Sequence, residues 1–162
     1  MAIIFKPPTK PILTNKPSVF LAGTIDNGKA EDWQARVESS LQDLDIIILN
    51  PRRDEWDSSW EQRIDHAPFR QQVEWELDGL ESASVILMYF APGSQSPISL
   101  LEFGLWAASN KLIVVSPFGF WRRGNIEVVT HRYGIPLFEH LEDGLAALRS
   151  HLSEEDIGKI EP

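Results

Sequence analysis

From Ser18 onward, apolar residues follow two alternating rhythms. Short unbroken runs stand at "SVFLAG" (18–23), "DIIILN" (45–50), "SVILMYF" (84–90) and "KLIVVS" (111–116). Runs of that length predict strands covered on both faces, as in a parallel sheet. Between them the apolar positions recur every three or four residues, which predicts helices. "AEDWQARVESSLQDL" (30–44) turns Trp33, Val37, Leu41 and Leu44 to one side, and "FRQQVEWELDGLESA" (69–83) turns Phe69, Val73, Leu77 and Leu80 inward. "PISLLEFGLWAASN" (97–110) forms a third helix. A loop "PFGFWRRGN", a short helix near "IEVVTHRYG", a short strand "PLF" and a last helix "LEDGLAALRSHL" complete the chain. This alternation predicts one α/β domain over residues 18–162, a doubly wound sheet of about five parallel strands.

Residues 1–17 break the rhythm. They carry three lysines and four prolines, which rule out a regular helix and predict an extended arm. Such an arm either lies across a neighbouring subunit or stays mobile.

Composition narrows the class of function. Hydrophobic residues make up 43% and charged residues 24% of the 162, the values of an ordinary globular domain. The net charge of -9 repels phosphodiester backbones and argues against a nucleic-acid partner. Cysteine is absent, which excludes disulfides and thiolate metal sites and fits a reducing cytoplasm. The amino terminus shows no signal-peptide pattern, and no apolar stretch approaches the length of a membrane span. The expectation is a soluble cytoplasmic protein with no membrane partner. His66, His131, His140 and His151 are scattered, with no spacing that suggests a metal site.

Doubly wound sheets bind ligands beyond the carboxyl ends of their strands. Three segments fall there: "GTIDNG" after the first strand, "NPRRDEWD" after the second, and "APGSQSPISLLE" after the third. The last ends on Glu102, a carboxylate inside an almost wholly apolar helix. The helix dipole favours its charge while its neighbours desolvate it, the setting of a nucleophile at a cleft. The alternative is a surface glutamate, which requires Phe103, Leu105 or Trp106 to be exposed as well. Glu76 is a second acidic candidate, because it falls off the solvated stripe Glu74–Asp78–Glu81 of its helix. Gly23 permits a close backbone approach beside Thr24. "GTIDNG" contains neither GxxxxGK[ST] nor GxGxxG, so nucleoside triphosphates and dinucleotides have no motif support. Arg52 and Arg53 either bind phosphate or pair with Asp54 and Asp57. Trp56 and Trp60, in a long loop, either stack on a planar base or pack as core.

At "FLAGTI", "ELDGLESASVILMYF" and "SPISLLEFGLWAASNKLIVV" the chain resembles the nucleoside 2-deoxyribosyltransferase family, in particular its 2-deoxyribosyltransferase-like branch. The likeness runs from about Ser18 to Leu152 and implies a flavodoxin-like fold. It also implies cleavage of the N-glycosidic bond of a 2'-deoxynucleoside through a covalent deoxyribosyl-glutamate, with the sugar passed to another base. By this resemblance Glu102 is the nucleophile and Glu76 handles the proton of the departing base, where the family has an aspartate. Ser96 stands where the transferases hold the sugar with an aspartate; related hydrolases of nucleoside monophosphates have serine there. Asn125 matches an asparagine that completes the site of an adjacent subunit, which implies a homo-oligomer. Gly23, Thr24 and Asp26 match the loop that approaches sugar and base; Arg53 and Trp56 are candidate substrate contacts from their place in the second loop alone, not from the resemblance. The family's carboxyl-terminal tyrosine is absent, and no cofactor or metal is implied. A nucleoside 5'-monophosphate N-glycosidase and a non-catalytic nucleotide sensor are the alternative functions.

Overall fold

The computed structural model describes residues 1–25 and 31–157. Along the chain its elements are β1 (Ile3–Phe5), β2 (Ser18–Gly23), α1 (Trp33–Leu41), β3 (Ile47–Leu49), α2 (Ala67–Ser82) and β4 (Val85–Tyr89). There follow α3 (Pro97–Trp106), β5 (Leu112–Val115), α4 (Arg123–Tyr133), β6 (Leu137–Phe138) and α5 (Leu141–Ile157). The strands form one parallel sheet in the order β1-β3-β2-β4-β5-β6. Apart from β1, this is the flavodoxin-like order. The chain winds outward from β2 to β3, then returns past β2 to β4, so the switch point lies between β2 and β4.

The sheet has six strands rather than about five. The extra one, β1, comes from the segment read as an arm. Ile3 and Ile4 precede the first proline, and β-branched residues suit an edge strand. Ile3 N donates to Ile46 O at 2.9 Å and Asn50 N to Phe5 O at 3.0 Å. Further along, Thr9 O accepts from Trp75 Nε1 at 2.8 Å, which ties the proline-rich stretch to α2.

Each strand feeds two cores, because successive side chains point to opposite faces. Val19 and Leu21 of β2 pack with Trp33, Val37, Leu41, Leu148 and Leu152 on the α1–α5 side. Phe20 and Ala22 pack with Trp75, Leu80, Phe103 and Ile126 on the side of α2, α3 and α4. α2 is rotated from the face read in its sequence. Its buried residues are Gln72, Trp75, Gly79 and Leu80, whereas Leu77 is 42% exposed. Gly79 explains the rotation: a Cβ there would stand 2.7 Å from the Phe20 ring, so only glycine lets the helix come this close.

Candidate active site

The switch point is closed by a strand pair whose geometry requires glycine. Gly23 pairs in register with Tyr89 and has φ +139°, and a Cβ on it would stand 2.1 Å from Tyr89 O. What Gly23 makes room for is thus the neighbouring strand's carbonyl. The close pairing delivers Thr24 to the end of β4, where Thr24 N donates to Tyr89 O at 3.0 Å. Thr24 O accepts from Trp33 Nε1 at 2.9 Å, which fixes the start of the loop to the core.

Three hydroxyls meet at this point. Thr24 Oγ1 lies 2.6 Å from Ser96 Oγ and 3.1 Å from Ser94 Oγ, and the two serines are 2.9 Å apart. Ser94 Oγ also donates to Ala91 O at 2.8 Å, while Ala91 N donates to Thr24 Oγ1 at 2.9 Å. Three hydroxyl protons therefore serve these contacts from within. Ser96 precedes α3 at φ 45° and its side chain does not cap the helix. Its hydroxyl is spent on Thr24 and Ser94.

α3 carries Ser99, Glu102 and Phe103 on its buried face. Glu102 is only 9% exposed, while Ile98, Leu101 and Leu105 are 58%, 60% and 58% exposed. The helix thus hides its carboxylate and shows Ile98, Leu101 and Leu105, while Leu100 packs against the core. Burial pushes the Glu102 carboxyl up to about 8, and the charge of Glu76 adds to the effect. The helix dipole does not prevail, because Glu102 lies beyond the first turn, where that field has faded. Glu76, on α2, is pushed up to about 7 by burial, opposed by a hydrogen bond from Gln72. Gln72 Nε2 donates to Glu76 Oε1 at 2.7 Å and to Pro51 O at 3.0 Å.

Two carboxyls from different helices therefore interact in a desolvated place. Glu102 is penalised by an ionised Glu76, so the pair resists carrying two charges and holds a proton near neutral pH. Such a pair can attack with one member and move a proton with the other.

The remaining residues read from the sequence are more dispersed. Arg53 Nη1 donates to Gln71 Oε1 at 3.4 Å and its guanidinium lies 4.9 Å from the centre of the Trp60 ring. Trp56 meets Trp60 edge-on at 5.1 Å. Arg52 reaches Asp32 at 3.6 Å and Gln34 at 3.4 Å, rather than Asp54 or Asp57. Asn125 is exposed on α4. Asp26 lies outside the described residues. Ser94 and Gln72 are absent from the sequence reading. Ser94 stands two positions before Ser96 in "GSQSP", and Gln72 one helical turn before Glu76, the spacing at which a side chain reaches its neighbour. Among the described residues, no group of three or more His, Cys, Asp or Glu side chains is placed to hold a metal ion. No helix among them is long and apolar enough to cross a membrane.

A family model described as nucleoside 2-deoxyribosyltransferase like matches residues 16–120. The match includes Thr24, Glu76, Ser96 and Glu102 and stops short of Asn125. No curated protein matches the chain. Among solved structures, the chain is similar to a conserved protein from Enterococcus faecalis V583, at 11% identity and a TM-score of 0.49, over 88% of this chain and 98% of that one.

Proposed function

The chain belongs to the nucleoside 2-deoxyribosyltransferase-like family, and from that premise we propose that it moves the sugar of a 2'-deoxynucleoside from one nucleobase to another. The observation that carries this reading is the burial of the Glu102 carboxyl on α3, at 9% exposure, with Glu76 of α2 near enough for its charge to act on it. The hydroxyls of Thr24, Ser94 and Ser96 gather at the neighbouring switch point.

Cleaving an N-glycosidic bond builds positive charge at C1' and negative charge on the departing base. In the proposed sequence a carboxylate oxygen of Glu102 forms a bond to C1'. The C1'–N bond breaks, its electron pair stays on the base, and Glu76 gives that nitrogen a proton. A second base then attacks C1' and passes its proton to Glu76, and Glu102 leaves as the carboxylate. Two inversions at C1' retain the configuration. Burial raises both carboxyls, so the pair can hold the one proton that the reaction needs on Glu76 while Glu102 is ionised.

Arg53 and Trp56 stand on the loop above α2 as contacts for the base or its acceptor. A homo-oligomer is part of the proposal. Leu101 and Leu105 on α3 and Phe118, Trp121 and Val128 nearby in the chain are exposed, and Asn125 lies between Trp121 and Val128. Such a surface suits a second copy whose site Asn125 completes. A Leu101→Asp variant should sediment as a smaller species than the parent.

The test is a chromatographic assay with a deoxynucleoside and a second base. Exchanged nucleoside is the expected product. Free base and deoxyribose without exchange would indicate hydrolysis, preferential loss of a 5'-monophosphate would indicate the N-glycosidase, and binding without turnover a sensor.

A further inference from the structure

Gln72 sits where a second polar side chain is needed only if Glu76 must be aimed. It is 4% exposed, and burying an amide among apolar neighbours costs free energy unless its hydrogen bonds are made. Its NH2 group makes two of them. One reaches Glu76 Oε1 at 2.7 Å and the other Pro51 O at 3.0 Å. Both partners accept, so this orientation of the amide satisfies them both, while the flipped one would set oxygen against oxygen. The contacts link α2 to the first residues after β3, one of the three segments at the carboxyl edge of the sheet. The amide oxygen of Gln72 is buried with no hydrogen-bond partner among the described residues.

We propose that Gln72 is the positioning residue for Glu76. It pins Oε1 of the carboxyl, so that Oε2 is the atom that carries the proton to and from the nucleobase. This rests on the transferase reading for its purpose, though not for its geometry. A glutamate side chain has three torsions to fix. A hydrogen bond from the preceding helical turn removes part of that freedom.

The same bond sets how tightly Glu76 holds its proton. Donation from an N–H favours the ionised carboxylate and opposes the effect of burial. Glu102, on α3, is the titratable group that acts on the pair from another element. Arg53 reaches the same helix at the adjacent Gln71. A group that must first give a proton to a departing base and then accept one from an arriving base works best when neither transfer is strongly uphill. Gln72 keeps Glu76 in that range.

The direct test is a carbon-13 titration of the Glu76 carboxyl in two chains, Glu102→Gln and Glu102→Gln/Gln72→Met. Methionine fills the space of glutamine without its amide. The Glu76 pKa should rise by roughly half a unit to one unit when the amide is lost. An unchanged pKa in the folded double variant overturns the proposal. Should the methionine variant fail to fold, Gln72→Asn, which withdraws the amide by one methylene, is read in the same way. With Glu102 in place, Gln72→Met should lower kcat for sugar transfer roughly tenfold at neutral pH, with KM within about threefold of the parent. The limb of its pH profile that Glu76 sets should move upward. A fall in kcat with no movement of that limb also counts against it. The titration needs no turnover, so a chain that proves not to be a transferase still returns an answer about Gln72.

Discussion

The acidic groups at the edge of the molecule and those at its centre stand in opposite situations. At the edge, Asp43 pairs with Arg149, Asp45 with Lys16 and Glu142 with Arg36. Asp43 and Asp45 are held below their ordinary pKa chiefly by the hydrogen bonds of Arg149 and Lys16, and Glu142 first by a backbone hydrogen bond and then by that of Arg36. At the centre, no cation among the described residues lowers the pKa of Glu76 or Glu102, and both are pushed upward by burial. A cation beside Glu102 would have relieved the penalty and also blunted its nucleophilicity. The contrast shows which charges this fold carries for solubility and which it carries at a loss of stability. Titratable groups left in that state mark functional sites more often than structural ones.

Activity should give the largest difference. Glu102→Ala should lower the rate of base exchange by at least about 10³-fold, as expected when the atom that bonds to the substrate is removed. Arg149→Ala should leave that rate unchanged, which steady-state kinetics on the two variants will read.

Stability should follow with the sign reversed. Both central carboxyls titrate higher in the folded chain than their ordinary value of 4.5. The folded state therefore holds more protons than the unfolded one from about pH 4.5 to about pH 8. Stability is highest below that window and falls as pH rises through it. Glu102→Gln keeps the shape without the charge, so it should stabilise the chain by roughly 2–4 kcal/mol near pH 8 and flatten the slope. Urea unfolding at pH 5 and pH 8 measures both. An inactive variant more stable than its parent would sharpen the contrast between centre and edge.

The smallest effect belongs to the edge. Arg149→Ala should scarcely move the unfolding midpoint, and what movement there is should shrink in high salt, because the pair is exposed and screened. A large loss of stability there would break the comparison.

The strands were legible because a parallel strand covered on both faces shows an unbroken apolar run, as in "SVILMYF". β1 was not, because the prolines after Phe5 obscured three residues whose pairing depends on a strand more than forty positions away. The face of α2 was misjudged for a related reason. Periodicity weighs Leu77 above Gly79 and Gln72, whereas close packing on Phe20 selects the glycine. Glu102 was legible as a carboxylate in an apolar run, but the same run concealed that Ile98, Leu101 and Leu105 face outward. The hydroxyl cluster was half legible. Thr24 and Ser96 stood out, but Ser94 joins them only through the turn that follows β4. Gln72 left no signal beyond its spacing from Glu76.

The central claim, that Glu102 bonds to the sugar, is tested most directly by intact-protein mass spectrometry after rapid acid quench of the chain with a 2'-deoxynucleoside and no acceptor base. The account expects an added mass of one deoxyribosyl group, located on Glu102 by fragmentation and absent from Glu102→Ala. Full base exchange by Glu102→Ala, or an adduct on another residue, would contradict it.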